Sequence, residues 1–222
     1  MMALAMSKPD RGSGMEGMVA KWYAANTGEM MKQYVALARR VADQIAEGCD
    51  VLEVAPGPGY FCIELAKVGN YAITGLDISR TFVKMAAKKA ARAGVRVNFV
   101  HGTAARLPFP AGSFDFLVCR AAFKNFAEPV SALREMCRVL RPGGRALLID
   151  LKANASPDEI NHCVDTLGLS PFNQFLTKLA FRSKLLKRAY TRQQFEYMLR
   201  LTKFSSVSIE ESEIGFEIFM TR

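Results

Sequence analysis

The stretch Val51-Leu52-Glu53-Val54-Ala55-Pro56-Gly57-Pro58-Gly59-Tyr60 runs a short apolar strand into a glycine-proline turn and on into a helical pattern. In a parallel sheet that order brings bare backbone to the carboxyl edge, where nucleotide-like ligands bind. Gly57 and Gly59 carry no Cβ and leave room for such an approach. Two departures tell against a dinucleotide. The third glycine of the G-x-G-x-x-G pattern is Cys62 here, and Pro58 removes an N–H where a pyrophosphate needs donors. The loop therefore suits a nucleoside-like ligand without phosphates. Asp77, twenty positions past Gly57, closes the next strand. A carboxylate there can accept both ribose hydroxyls, beside a plainer role at the start of the helix that Ser79 can cap.

Other chemistries find little support. The five cysteines (Cys49, Cys62, Cys119, Cys137 and Cys163) are odd in number and form no C-x-x-C pair, so neither a disulfide framework nor a zinc site is indicated. Only His101 and His162 could add imidazole, no carboxylate cluster has ligand spacing, and no metal is expected. The net charge of +9 invites a nucleic-acid partner, but the basic residues fall in two helical stretches, Arg80 to Arg92 and Lys178 to Lys203, and read as solvated faces. No strand interleaves aromatic and basic residues as RNA-binding strands do. A nucleic-acid partner is not expected, while attraction to an anionic substrate or surface stays open. No apolar run approaches the roughly 18 residues of a membrane span, and the N-terminus lacks a secretion signal, so a cytoplasmic location is expected.

The elements that must position these residues alternate. Met15 to Ala46 reads as two helices separated at Gly28. Strands are expected at 51–54, 71–76, 95–100, 114–119 and 145–151, with helices from Tyr60 to Lys67, from Ser79 to Ala93, and from Pro129 to the stop at Pro142-Gly143-Gly144. Short apolar strands alternating with helices imply βαβ units and a mostly parallel sheet with helices on both faces. After Asp150 the pattern breaks into short helices over 155–188, then a helix from Thr191 to Thr202 and two strands, 207–211 and 215–220. The expected whole is an α/β, Rossmann-like, doubly wound seven-stranded sheet. A flexible tail (1–14) precedes a single domain (15–222), which has an N-terminal helical lid (15–47) and a helical substrate-covering insert (155–188).

Four ordered blocks, VLEVAPGPG, GLDIS, GTAARLPFPAGSFDFLVC and ALREMCRVLRPGGRALLIDL, carry a resemblance to the class I S-adenosylmethionine-dependent methyltransferases, in their ubiquinone/menaquinone-type branch. The likeness covers Val51 to Leu151 closely and Tyr190 to Arg222 more loosely. It implies S-adenosylmethionine as cofactor and S-adenosylhomocysteine as product. It further implies Glu53 at the methionine end, Gly57 and Gly59 in backbone contact, Asp77 on the ribose and Ile78 on an adenine face. The family's acidic contact to the adenine amino group is Thr103 here, which shifts base recognition toward the Ala104 N–H. Arg120 should offer its backbone carbonyl to the cofactor's amino group. Ala55 replaces the family's first motif glycine, and Tyr23 either reaches the cofactor carboxylate from the lid or packs.

Relatives in this branch usually carry a histidine pair in the turn after the fourth strand, where this chain has Ala122-Phe123-Lys124-Asn125-Phe126. Asn125 can orient an acceptor, and Lys124 is a base only if desolvation lowers its pKa. The plainer alternative is an exposed Lys124 and a turn-stabilising Asn125. A sulfonium is already an activated methyl donor, so alignment does most of the work and no triad is needed. A small-molecule acceptor is expected, under an insert carrying Leu167, Leu169, Phe172, Phe175, Leu176, Leu179 and Phe181. The rivals are methylation of RNA or protein, without the Asn/Asp-Pro-Pro-Tyr signature, and a non-methylating S-adenosylmethionine-binding protein. The acceptor atom and the choice between monomer and homodimer stay open.

Overall fold

The computed structural model describes residues 14–27, 31–166, 171–181 and 185–222. Seven strands form one sheet in the order β3-β2-β1-β4-β5-β7-β6. β1 (Asp50–Val54), β2 (Ala72–Asp77), β3 (Asn98–His101), β4 (Phe114–Arg120) and β5 (Leu140–Leu151) run parallel. β7 (Gly215–Thr221) is antiparallel to β5, and β6 (Ser206–Glu211) is the outer edge. The chain lays down β1, β2 and β3 outward, then returns to place β4 on the other side of β1. That reversal leaves a crevice at the carboxyl ends of β1 and β4, the usual ligand position in open α/β sheets.

Both faces are buried, as short apolar parallel strands require. Along β4, Leu117 and Cys119 face one core with α5 (Pro129–Val139) and α9 (Arg192–Arg200). Phe116 and Val118 face the other, with α2 (Met31–Ala42) and α3 (Tyr60–Val68). In β1, Leu52 belongs to the first core and Val51 to the second. The cap reading of α4 (Arg80–Arg92) holds, with Ser79 Oγ accepting from Phe82 N–H at 3.1 Å. Thr191 caps α9 through a reciprocal box with Gln194.

Two boundaries differ from the sequence reading. β3 begins at Asn98, not Val95, because Val95 N–H is spent on Ala90 O in the turn that ends α4. The Pro142-Gly143-Gly144 stretch does not stop α5, which ends at Val139. It forms a bulge inside β5, between the pairs Phe114–Leu140 and Phe116–Arg145. Residues 1–13 of the expected tail, Gly28, and Leu167 and Leu169 of the insert lie outside the described residues. The rest of the lid is α1 (Gly17–Thr27) and α2. The rest of the insert is α6 (Pro157–Asp165), α7 (Pro171–Ala180) and the short α8 (Leu186–Arg188).

The turn after β1 is held in unusual backbone. Ala55 sits at φ +60° and Gly59 at φ +80°. A Cβ on Gly59 would lie 2.8 Å from Ala86 Cβ and 2.9 Å from Phe99 Cζ, so this glycine lets α3 start hard against α4 and β3. Its empty space therefore faces the interior and not the crevice, contrary to the expectation from the motif. A left-handed alanine costs roughly 1–2 kcal/mol, part of which glycine returns as unfolded-state entropy. Ala55→Gly should thus raise stability by about 0.5–1 kcal/mol. Gly59→Ala should lower it by more than about 2 kcal/mol, through strain and overpacking together. Thermal unfolding of both variants checks the opposite signs.

Candidate functional site

Five segments meet at the carboxyl edge around the crevice: the β1 turn, the β2 end, the β3 end, the β4 turn and α1. Glu53, one residue from the end of β1, is 3% exposed. Its position in the strand turns it toward α3, where the Cys62 thiol donates to its Oε2 at 2.9 Å. Burial pushes the Glu53 carboxyl up from 4.5 to about 7, against the Cys62 hydrogen bond and the positive charge of Arg120, which lower it. Burial also holds the Cys62 thiol well above its ordinary range, so it stays a donor. None of the ion pairs among the described residues includes Glu53.

Asp77 is the second buried acid, 5% exposed. Oδ2 accepts from Gly57 N–H at 2.9 Å and Oδ1 from Ser79 N–H at 2.8 Å. The carboxylate thus fixes the β1 turn and the start of α4 to each other. Both roles weighed for it are compatible, since each oxygen keeps an unused lone pair. Burial raises its pKa, against the two N–H groups that lower it. Gly57 (φ +54°) has nothing within 4 Å of where a Cβ would be, so of the two motif glycines it is the one open to the crevice. Ile78 stays 38% exposed beside it. Thr103 is exposed just beyond β3, with its Oγ1 3.4 Å from Ala105 N–H, and Ala104 packs against the core.

The N-terminal segment and α1 also reach this site. Tyr23 of α1 packs edge-on against Phe82, with centroids 5.9 Å apart. Burial pushes its hydroxyl up to about 12, with smaller effects from Tyr34, Arg120, Asp150 and Asp77. Those neighbours place its ring in the same crevice. Tyr60 OH donates to Ala24 O at 2.8 Å and accepts from Lys89 Nζ at 2.9 Å. Glu16 accepts from the N–H groups of Arg80 and Thr81 at 2.9 and 3.0 Å, which fastens the segment before α1 to the start of α4.

Arg120 ends β4 with its guanidinium over the Tyr34 ring, 4.5 Å from the centroid, and its Nη2 donating to Gln33 Oε1 at 2.8 Å. Ala121 follows at φ +56°, then a 3₁₀ turn over Phe123–Asn125. Lys124 is not exposed, contrary to the plainer sequence reading. It is 4% exposed, and its Nζ donates to Asp150 Oδ1 at 2.9 Å and to Ala121 O at 2.5 Å. Asp150 also accepts from the N–H groups of Lys124 and Leu151. Lys124 therefore ties the turn to Asp150 near the end of β5. Asn125 is half-buried, and its Oδ1 accepts from Arg188 Nη1 of α8 at 3.3 Å. Asp150, Gln33, Tyr34 and Arg188 escaped the sequence reading. The one available signal was an aspartate in the otherwise apolar run Ala146 to Leu151.

The fold defines a Rossmann-like α/β domain with a crevice at the switch point between β1 and β4. Residues 52–148 match the family described as methyltransferase domain. A demethylmenaquinone methyltransferase of Deinococcus radiodurans is 41% identical over 107 residues, which cover 48% of this chain and 44% of that protein. The chain thus matches less than half of that relative's length. A Methanococcus maripaludis structure described as a candidate S-adenosylmethionine-dependent methyltransferase superposes with TM-score 0.77 at 20% identity, covering 95% of this chain and 97% of the other. The [4+2]-cyclase SpnF shares the fold at TM-score 0.57 and 21% identity, covering 85% and 80%. Among the described residues no cluster of three metal-ligating side chains occurs, and no helix is long and apolar enough to cross a membrane.

The raised Glu53 pKa has a definite sign. The folded state holds a proton that the unfolded state releases above 4.5, so this group's contribution to stability is lost as pH rises from about 4.5 through 7. Glu53→Gln mimics the protonated form. It should match the parent near pH 4.5 and exceed it by up to roughly 3 kcal/mol above pH 7.5. Denaturant titrations across that window measure the difference.

Proposed function

We propose that the chain is an S-adenosylmethionine-dependent methyltransferase that acts on a small-molecule acceptor. The observation that carries this is the crevice at the end of β1. It combines Glu53, a buried carboxyl in none of the ion pairs among the described residues, with an open glycine at Gly57 and a second buried carboxyl, Asp77, that accepts from the Gly57 N–H. Those groups fit the cofactor. Glu53 suits the ammonium, Gly57 the close backbone approach, Asp77 the ribose hydroxyls, Ile78 one face of adenine, and Thr103 with the Ala104 N–H the base edge. When bound, the cofactor supplies an activated methyl group. The protein's task is then to hold an acceptor in line with it and to keep water out, which is worth up to roughly 7–11 kcal/mol of barrier.

The small-molecule acceptor is supported by the demethylmenaquinone methyltransferase similarity. Asn125 meets Arg188 at the end of the insert. Of the aromatic and aliphatic residues expected to line a pocket there, Phe175 and Leu179 are 65% and 52% exposed, and Phe181 packs on Ile160 and Val164. The described insert thus leaves part of its apolar face uncovered.

A second reading, cofactor binding without methyl transfer, is favoured by Lys124 being committed to Asp150 and by a cyclase on the same fold. A product-mass screen with labelled methyl donor against a metabolite library separates the two. A labelled product supports transfer, and tight cofactor binding with no product across the library supports the second reading. With a substrate in hand, Asn125→Ala should lower methyl transfer at least about tenfold, a barrier change of roughly 1.4 kcal/mol. Cofactor affinity should stay within about twofold.

A further inference from the structure

The methionine end of S-adenosylmethionine is a zwitterion, so a site that holds it needs an anionic acceptor for the ammonium and a cationic donor for the carboxylate. We propose that the Arg120 guanidinium receives the cofactor's carboxylate, so that Glu53 and Arg120 form a paired receptor for the zwitterion. This rests on the cofactor reading above. It gives the Arg120 side chain a role separate from that of its backbone carbonyl.

Sheet register brings the two groups together. Glu53 pairs with Val118 across β1 and β4, and paired residues in adjacent strands point to the same face. Arg120, two residues past Val118, shares that face. Its guanidinium is found there, over the Tyr34 ring of α2, and the charges of Arg120 and Glu53 both bear on Tyr34. Its charge bears on Glu53, Tyr23 and Tyr34 at once.

The contacts of Arg120 leave it suited to an anion. Its partners are neutral, the Gln33 amide oxygen and Tyr34, whose ring lies under the guanidinium and whose side chain also hydrogen-bonds to it, and none of the ion pairs among the described residues includes it. Gln33 accepts from one nitrogen, Nη2, of a group that carries five N–H donors. The tyrosine face fixes the guanidinium plane, and a planar fork is the geometry that grips a carboxylate with two hydrogen bonds. The other cations near the crevice are committed elsewhere. Lys124 points at Asp150, and Lys89 lies over the Tyr60 ring at 4.3 Å.

The test uses ligands that differ by one group. Calorimetry on the parent, Arg120→Met, Arg120→Lys and Glu53→Gln is run with S-adenosylmethionine, decarboxylated S-adenosylmethionine and 5′-methylthioadenosine. Circular dichroism confirms that each variant folds. Arg120→Met should weaken S-adenosylmethionine at least about tenfold, the lower end for hydrogen bonds to a charged group, and leave the decarboxylated ligand within about twofold. Arg120→Lys, which keeps the charge and loses the fork, should fall between. Glu53→Gln should weaken both ammonium-bearing ligands and spare 5′-methylthioadenosine. Equal weakening of the first two ligands by Arg120→Met, or no weakening of either, overturns the carboxylate assignment while leaving the cofactor reading intact. A parent that binds none of the three removes the cofactor reading and this inference with it.

Discussion

Parallel pairing between β1 and β4, the two strands on either side of the chain reversal, governs the rest of the molecule. The register sets Val51 opposite Phe116, Leu52 opposite Leu117 and Glu53 opposite Val118. Because side chains alternate along a strand, that alignment decides which residue enters which core. A shift of one position would send Glu53 into the α5 and α9 layer and leave Leu52 beside α3. The crevice exists because β1 and β4 end together while their connections leave in opposite directions. Every residue assigned to the site hangs from an end of one of these strands or a neighbour.

Charge burial at this edge is handled in three ways. Asp150 is satisfied within the fold by the Lys124 ammonium and two backbone N–H groups. Asp77 is half-satisfied, with two N–H groups and spare lone pairs that face the crevice. Glu53 accepts from a thiol and is in none of the ion pairs among the described residues, and its carboxyl rises to about 7. Burying a carboxylate without a partner is expensive, which is why the free protein favours the neutral form. A ligand ammonium would reverse that preference, so binding there should release a proton near neutral pH. The Lys124 and Asp150 pair has a different purpose. Removing either partner would strand the other, and the pair holds the Ala121 to Asn125 turn, with its left-handed alanine, against the end of β5.

The N-terminal helices are fastened at points that also serve the site. Glu16 binds the start of α4, Ser79 Oγ donates to Met15 O at 2.5 Å, and Tyr60 OH ties Ala24 to α3. Ser79 is itself held by Asp77, so the segment leading into α1, Asp77 and the α4 cap form one connected set of hydrogen bonds. On the other side, Arg120, Tyr34, Tyr60 and Lys89 stack in sequence, with the two tyrosine centroids 5.4 Å apart. Cover and sheet edge are thereby linked at both ends of the crevice.

The sequence by itself determined the alternation of strands and helices, the turn after β1, the Ser79 and Thr191 caps, and Glu53, Gly57 and Asp77 as the residues at strand ends. All of these are local signals of periodicity, capping and spacing within a few turns of chain. It erred where the cause was distant. Pro142-Gly143-Gly144 looked like a helix stop because proline and glycine end helices, yet pairing with β4 makes it a bulge. Gly59 looked like a ligand glycine, but packing against Ala86 and Phe99 explains it. Lys124 looked solvated because its partner, Asp150, lies 26 residues away and becomes a neighbour only when β5 docks beside β4. Gln33 and Tyr34 gave no signal at all, since nothing in an amphipathic helix says which sheet edge it will cover. Tertiary structure alone decided which charges are buried, which are paired and which face the crevice, because burial and pairing depend on contacts between segments that the chain order keeps apart.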